Sequence, residues 1–192
     1  MLENLNKYTI VLASKSPRRK QLLQEIGIPF SVETIEVDEV YPENLPVEEV
    51  AAYLAKLKAT PFINNIDDYK LIITSDTIVC VDNQILGKPA GYEEAFEMLR
   101  LLSGRSHQVM TGVNLFSQSK SISFTTTTTV HFKVLSKEEI GYYLDNFKPY
   151  DKAGAYGIQE WIGHIAVERI DGSYFNVMGL PIQRLYEELR KF

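Results

Sequence analysis

The sequence of 192 residues contains one cysteine and three histidines, and this scarcity excludes several kinds of site. Cys80 alone cannot form an internal disulfide framework, and a single thiol fits a reducing compartment. His107, His131 and His164 show no metal-ligand spacing with one another or with Cys80, so a zinc site built on them has no support. We therefore expect a cytoplasmic protein whose chemistry rests on other residue types.

Long apolar runs and an excess of basic charge are also missing. No run approaches the roughly 18 residues of a membrane span, and the opening stretch lacks the basic and apolar regions of a signal peptide. The net charge of −5 and the pI near 5.3 argue against general binding to a nucleic-acid backbone. No nucleophile elbow, Walker A loop or dinucleotide-binding glycine fingerprint is present. We expect a soluble protein with no nucleic-acid or membrane partner and no covalent serine or cysteine mechanism.

The composition and periodicity predict one globular domain over residues 1–192. Hydrophobic residues make up 45% of the chain, which is enough for a well-packed core. Helices alternate with strands in the first half and hairpins follow later, so we expect an α/β fold, with a mixed sheet covered by helices. The predicted strands are 8–13, 29–37, 70–81, 164–170 and a hairpin around "SQSKS"; the predicted helices are 47–59, 92–104, 136–147 and one that begins at Pro181.

The segment "ASKSPRRK" (13–20) joins the first strand to the first helix and places cations where a helix disfavours them. Ser16 is a good N-cap and Pro17 suits the first helical position. Arg18, Arg19 and the lysine after them fill the first turn, although the helix dipole favours anions there. A bound polyphosphate would reverse this charge balance; a solvated cationic turn is the alternative. On the dipole argument alone, replacing Arg19 by alanine should leave the ligand-free protein no less stable.

Two charged residues lie in apolar surroundings. Asp76 is in the middle of the strand "KLIITSDTIVCV", where an isolated carboxylate costs several kcal/mol unless a cation or a metal is near. The alternative is a carboxylate at a bulge that is hydrogen-bonded to the backbone. Lys58 follows Leu54 by four residues, on the apolar face of its helix, although such a lysine often extends its ammonium to the surface.

Lys88 and Glu39 complete the set of candidate site residues. Lys88 lies between a glycine and a proline, in a loop that could equally be plain surface, and Glu39 belongs to an acidic loop that could be merely solvated. Cations together with free helix N–H groups make a phosphate site. Carboxylates among them would hold Mg²⁺ and activate water. The combined set therefore indicates a polyphosphate-binding site with a divalent metal.

Eight collinear motifs resemble the Maf family of nucleoside triphosphate pyrophosphatases: "ASKSPRR", "EVDE", "LAKLKA", "SDT", "GKP", "LSGRSHQVMTG", "DKAGAYGIQ" and "GSYFNVMGLP". The resemblance covers essentially the whole chain. It implies an elongated mixed α/β fold with two lobes around a deep active-site cleft. It also implies hydrolysis of a nucleoside triphosphate substrate to the monophosphate and pyrophosphate with a divalent metal, Mg²⁺ or Mn²⁺, and a homodimer is a family expectation.

The resemblance also assigns roles to residues. Asp76 looks like the general base that activates water for attack at the α-phosphorus. The carboxylates of the metal site would be Glu39 and Asp76. The positions that resemble the family's triphosphate-binding residues are Ser14, Arg19, Lys58 and Lys88.

Arg18, Thr77 and Gln159 stand where the family's branches differ, and they resemble the branch that acts on dTTP and UTP. Gln159 offers a donor and an acceptor that could pair with a pyrimidine's carbonyl and N3–H edge. Arg18 can donate to a base carbonyl, and Thr77 is small enough to admit the base. A modified pyrimidine triphosphate is also open as the substrate. The alternatives are a 7-methyl-GTP or other purine-type pyrophosphatase, and a non-enzymatic nucleotide-binding regulator of cell division.

Overall fold

The computed structural model describes residues 2–63 and 66–192. Its strands are β1 Thr9–Leu12, β2 Ser31–Val32, β3 Lys70–Val81, β4 Gln84–Leu86, β5 Ser106–Phe116, β6 Ser121–Phe132 and β7 Val167–Asp171. Its helices are α1 Pro17–Glu25, α2 Val47–Ile63, α3 Tyr92–Leu102, α4 Lys137–Phe147, α5 Trp161–Ala166, α6 Tyr174–Val177 and α7 Ile182–Lys191. Single turns of 3-10 helix cover Glu3–Leu5 and Ala153–Ala155.

The strands form one mixed sheet with the order β2-β1-β3-β5-β6-β7, and β4 pairs with β3. β1 is parallel to both β2 and β3, whereas β3–β4 and β6–β7 are antiparallel pairs. The mixed α/β fold predicted from the sequence is therefore confirmed. The elongated shape and the cleft that the resemblance implies stay predictions.

The chain divides into two compact units, each with its own apolar core. The first unit comprises residues 1–76, 111–126 and 179–192, and the second comprises 77–110 and 127–178. A core cluster of the first unit contains Val11, Ala59, Phe62, Ile72 and Phe116. The core of the second unit is built on α3, α4 and the strands beneath them, with Leu99, Leu102, Tyr143, Leu144 and Ile162 fully buried. The single domain predicted over residues 1–192 stays a prediction.

Helix α2 is fixed to the sheet of the first unit by two close contacts. The Thr74 hydroxyl in β3 donates to the carbonyl oxygen of Ala55, 2.6 Å away, in a buried hydrogen bond. On β5, a Cβ atom at Gly112 would lie only 2.2 Å from the carbonyl oxygen of Ala51. Only glycine allows the helix backbone to approach a strand this closely. These contacts set the position of α2, which carries Lys58.

Local hydrogen bonds and turn geometry define several ends of elements, and one of them, the N-cap at Ser16, confirms a prediction from the sequence. The Ser16 side chain accepts from the backbone N–H of Arg19 and caps α1. Ser136 and Glu139 form a capping box at the start of α4. The turn between β3 and β4 has positive φ at its two central residues, Asp82 and Asn83, as a tight hairpin requires.

The predicted strand 29–37 is wrong beyond two residues. Only Ser31–Val32 pairs, through Val11 and Leu12 of β1. β1 ends at Leu12, and the chain then turns into α1. Residues after Val32 have no neighbouring residues of β1 to pair with. They therefore do not form a strand, although their alternation of apolar and polar residues predicts one.

The predicted strand 164–170 is wrong in its first three residues, which complete α5. The N–H of Gly163 donates to the carbonyl oxygen of Glu160, which starts the helix after a turn. A short apolar run such as "HIAV" has no periodicity that separates helix from strand. The strand begins only at Val167.

Helix α2 runs past the predicted end at residue 59, although Pro61 lies inside it. A proline cannot donate to the carbonyl four residues earlier, which belongs to Leu57. The Thr60 hydroxyl donates to that carbonyl oxygen instead, at 2.8 Å. This bond compensates for the missing donor and lets the helix continue.

Within the described residues, no helix combines the length and apolar character needed to cross a membrane.

His107 is buried in the core of the second unit. Its ring packs edge-on against Phe132 and Tyr156, with centroids 4.9 and 5.4 Å away, and its Nε2 lies 2.7 Å from the Tyr156 hydroxyl. Burial, together with a smaller effect of the His131 charge, lowers the pKa of His107 to about 4. Burial also raises the pKa of Tyr156, so its hydroxyl keeps its proton.

We predict that this histidine makes the fold acid-sensitive. The pKa of His107 is lower in the folded state than in the unfolded state. The contribution of neutral His107 to the free energy of unfolding is therefore fully present above pH 6.5. As the pH falls toward 4 this contribution is lost, and the free energy of unfolding decreases by about 3 kcal/mol. Urea unfolding at several pH values should show this loss in the wild type and in the exposed-site control His164→Gln. The loss should be much smaller in His107→Gln, and an unchanged pH dependence in that variant would contradict the assignment.

Candidate functional site

A buried carboxylate lies in the middle of β3. Asp76 is 7% exposed, in a strand in which residues 71–76 and 78–81 are buried. The ammonium of Lys58 donates to its Oδ1 in a short ion pair. A buried charge is tolerated when a counter-ion reaches it, so Lys58 explains how Asp76 can occupy this strand.

Lys58 bridges two carboxylates. Its Nζ also lies 2.9 Å from Oε1 of Glu39, in the segment that follows β2. The lysine and aspartate side chains are mostly buried, and the Glu39 side chain is 43% exposed. Lys58 therefore points inward, as its spacing from Leu54 predicted, and it draws the two predicted metal-site carboxylates to one point.

The position of Lys58 follows from how α2 is seated. Thr74 and Asp76 are two residues apart and face the same side of β3. Ala55 and Lys58 are three residues apart and share a face of α2. The Thr74–Ala55 hydrogen bond and the Asp76–Lys58 ion pair are therefore successive links between the same helix and the same strand. The sequence reasoning missed Thr74, whose only signal is a polar residue two places before Asp76 in a buried strand.

Arg19 turns away from its helix and binds backbone next to Asp76. Its Nη1 donates to the carbonyl oxygen of Ser75 at 2.8 Å, and its Nε donates to that of Gly179 at 2.8 Å. The hydroxyl of Ser14, which is 8% exposed, lies 3.5 Å from the same Nη1. Two of the predicted triphosphate-binding residues, Ser14 and Arg19, are thus in contact, and the same guanidinium binds the backbone of the residue before Asp76.

The charges of this region are coupled. Burial lowers the pKa of the Arg19 guanidinium; Asp76 and Glu39 oppose this shift, and Arg18 adds to it. Arginine stays protonated in proteins, so the guanidinium remains a cation here. Three cations (Arg18, Arg19 and Lys58) and two carboxylates of the first unit therefore interact electrostatically, and Lys58 directly bridges the two carboxylates.

The remaining predicted residues are placed as follows. Arg18, in the first turn of α1, and Thr77, which follows Asp76 in β3, are half-buried. In the second unit, Lys88 is exposed and Gln159 is half-buried. The residue before Lys88 is hydrogen-bonded to the chain upstream of Gln159, because the N–H of Gly154 donates to the carbonyl oxygen of Gly87 at 3.0 Å.

A second ionic network was missed by the sequence reasoning. The ammonium of Lys152 lies 3.1 Å from Glu160, and the Tyr143 hydroxyl donates to the same carboxylate. Lys152 is 8% exposed. The signal was present, since Lys152 lies within the motif "DKAGAYGIQ", but nothing in the sequence shows its partners.

The carboxylate oxygens of Glu39 and Asp76 fit a hard divalent cation. Both reach a single cation, the Lys58 ammonium, so they converge on one position. Among the described residues, no group of three or more His, Cys, Asp or Glu side chains could hold a metal. Two carboxylates are compatible with Mg²⁺, which binds proteins through one or two carboxylates and takes its other ligands from water and phosphate.

Comparisons with known proteins agree over the whole chain. A family model described as "Maf-like protein" matches residues 9–192. A protein of Bacteroides thetaiotaomicron named "dTTP/UTP pyrophosphatase" is 54% identical over 192 residues, 100% of both chains. One of Parabacteroides distasonis with the same name is 52% identical over 193 residues, again 100% of both chains.

One solved structure supports the fold. "The structure of the Staphylococcus aureus Ham1 protein" is similar with a TM-score of 0.52 and 17% identity, over 94% of this chain and 99% of that one. At this identity the likeness concerns the fold alone.

We predict that Arg19→Ala destabilises the ligand-free protein, contrary to the expectation from the helix dipole. The guanidinium donates to two backbone carbonyl oxygens, and such charged hydrogen bonds contribute about 1.5–3 kcal/mol each. Lys20→Ala is the matched control, because Lys20 is an exposed cation of the same turn. Thermal or urea unfolding should show Arg19→Ala clearly less stable than the wild type and Lys20→Ala no less stable. Equal stability of the two variants would contradict the structural role of Arg19.

Proposed function

Since the chain belongs to the Maf-like protein family, we propose that it is a nucleoside triphosphate pyrophosphatase that hydrolyses dTTP and UTP to the monophosphate and pyrophosphate. The names of its full-length relatives support this substrate pair. The structural observation that carries the proposal is the buried Asp76 carboxylate, held by Lys58 together with Glu39 and lying beside Arg19.

Asp76 is the proposed general base. Attack on a phosphorus atom needs a water molecule that gives up a proton, and a carboxylate held in place within reach of the substrate can accept it. The strand fixes the backbone of Asp76, and the Lys58 ammonium fixes its side chain. The residue is thus oriented before the substrate arrives, which lowers the cost of reaching the transition state.

The triphosphate-binding group would be Ser14, Arg19, Lys58 and Lys88. Phosphate oxygens are bound well by guanidinium and ammonium groups and by hydroxyl donors. Ser14 and Arg19 already contact each other, and Lys58 is beside the proposed base. Incoming phosphate would compete with the two carboxylates for the Lys58 ammonium.

Glu39 and Asp76 would hold the divalent cation, Mg²⁺ or Mn²⁺. When bound, such a cation neutralises phosphate charge and makes bound water more acidic. The carboxylate of Glu39 is partly exposed, so it can turn from Lys58 toward an incoming cation without unfolding its segment.

Arg18, Thr77 and Gln159 are the proposed specificity residues. Gln159 has a donor and an acceptor on one amide, as recognition of a pyrimidine edge requires. The relatives' names favour this branch over the 7-methyl-GTP or purine alternative and over a non-enzymatic regulator. Modified pyrimidine triphosphates belong in the same substrate panel, because they present the same edge.

We also propose that the protein works in the cytoplasm, as a homodimer, without a nucleic-acid partner. The net charge of −5 and the single cysteine support the absence of nucleic acid and the reducing compartment. The homodimer rests on the family alone.

The reaction predicts specific products. The purified protein with Mg²⁺ or Mn²⁺ should release pyrophosphate and a monophosphate from dTTP and from UTP, as seen by ion-exchange chromatography of the mixture. Release of orthophosphate and a diphosphate would place attack at the γ-phosphorus and contradict the proposal. A nucleotide that binds without any turnover would favour the regulator instead.

We predict that Asp76→Asn lowers kcat by about 10²–10⁴-fold, because the amide cannot accept the proton. The fold should survive, since asparagine keeps the shape of the side chain and Lys58 keeps Glu39 as a partner. The matched control is Asp82→Asn, the same change in the exposed turn that follows the same strand, where asparagine tolerates the positive φ. The measurement is the kcat of both folded variants by steady-state kinetics. A near-normal kcat in Asp76→Asn would contradict the role of Asp76 as the general base.

A further inference from the structure

The side chain of Gln159 is carried by a closed turn in the second unit. The N–H of Glu160 donates to the carbonyl oxygen of Gly157 at 3.0 Å, which places Gln159 third in a four-residue turn. The residue before it, Ile158, is only 4% exposed and anchors the turn in the core. Within the described part of the chain, the buried Oε1 of Gln159 has no hydrogen-bond partner. A buried carbonyl oxygen without a donor is costly, so this atom is well suited to accept an N–H from a ligand.

Both ends of the turn are tied to one tyrosine. The N–H of Gly157 donates to the Tyr143 hydroxyl oxygen at 3.1 Å, and that hydroxyl donates to Oε2 of Glu160. Tyr143 is fully buried in α4. Burial raises the pKa of Tyr143, and the bond to Glu160 raises it further, so the hydroxyl keeps the proton it donates.

Lys152 holds the other oxygen of the same carboxylate. Its Nζ lies 3.1 Å from Oε1 of Glu160 and 2.7 Å from Oδ1 of Asp151, and its side chain is 9% exposed. Because both oxygens of Glu160 are engaged, its side chain cannot rotate without breaking a buried ion pair. Breaking a largely buried ion pair costs much free energy, because it leaves a charge without a partner in a region of low dielectric constant.

Gly157 brings the Gln159 amide against the backbone of the turn. A Cβ atom at Gly157 would lie 2.9 Å from Nε2 of Gln159 and 2.9 Å from the carboxyl carbon of Glu160. The amide nitrogen therefore lies over the glycine, beside the carboxylate that Tyr143 and Lys152 hold. The orientation of the amide depends on the geometry of the turn.

We propose that Tyr143, Lys152 and Glu160 are positioning residues that hold the Gln159 amide in one orientation, and that this orientation distinguishes uracil and thymine from cytosine. Uracil and thymine present an N3–H donor beside the O4 acceptor, whereas cytosine presents the N3 acceptor beside an amino donor. A half-turn of an amide exchanges its donor and its acceptor. A Gln159 amide held in one orientation would hydrogen-bond only to the edge of uracil and thymine. An amide that is free to rotate could also pair with the edge of cytosine. The inference rests on the proposed function and deepens it.

The test is Tyr143→Phe, which removes one hydroxyl and keeps the ring in the core. The expected result is an increase in KM for dTTP and UTP of about 3- to 10-fold, as the loss of a hydrogen bond implies, with little change in kcat. The ratio of kcat/KM for dTTP to that for dCTP should fall by a similar factor. Tyr142→Phe is the matched control, because it makes the same change at the neighbouring residue, which is 51% exposed. Glu160→Gln serves as a second variant if Tyr143→Phe fails to fold, and it should lower the same ratio.

A second measurement separates this inference from the proposed function. Backbone amide hydrogen exchange over residues 157–160 should be faster in Tyr143→Phe than in Tyr142→Phe, whatever the substrate. If the wild type hydrolyses neither dTTP nor UTP, the proposed function fails, and unchanged exchange would then overturn the positioning network as well. If the wild type is active, an unchanged dTTP-to-dCTP ratio in a folded Tyr143→Phe overturns the inference, including the case in which KM rises equally for both nucleotides.

Discussion

The ion pair between Lys58 and Asp76 is the interaction on which the rest of the site depends. It places a carboxylate inside a buried strand, where water cannot solvate it, and the same ammonium reaches Glu39. The pair forms because α2 packs closely on the sheet. The Thr74 hydroxyl donates to the backbone of α2, and Gly112, which has no side chain, lets the helix backbone approach β5. A shift of this helix by a single side-chain width would leave Asp76 unpaired in the core. The packing of the first unit and the chemistry of its site therefore rest on the same contacts.

The balance of charge explains the cations at the start of α1. The Ser16 side chain still caps the helix, while the guanidinium of Arg19 leaves the helix axis and donates to the carbonyl oxygens of Ser75 and Gly179. These bonds offset the unfavourable helix dipole. The proposed phosphate role and this structural role are compatible, because a guanidinium has five N–H donors in a fixed plane.

The features predicted correctly from the sequence are those that depend on local residue preferences, or on the desolvation penalty of a charged residue in an apolar strand. Periodicity predicts the central strand and the inward position of Lys58, and the preference of serine for the N-cap predicts the start of α1. Asp76 stands out because an apolar strand cannot hold a carboxylate alone. The close approach of Gly112 to Ala51 could not be predicted, since it joins residues far apart in the chain. Residues 33–37 were wrongly predicted as strand, because their alternating pattern is typical of a strand but β1 ends at Leu12, too early to pair with them. Pairing partners, unlike periodicity, are set by the whole fold.

The central claim is that the protein directs water to the α-phosphorus of a pyrimidine nucleoside triphosphate. Hydrolysis of dTTP in water labelled with the heavy oxygen isotope, followed by mass spectrometry of both products, tests this directly. The account predicts that the label appears in the monophosphate and that the pyrophosphate stays unlabelled. Label in the pyrophosphate would place the attack at the β-phosphorus and contradict the account.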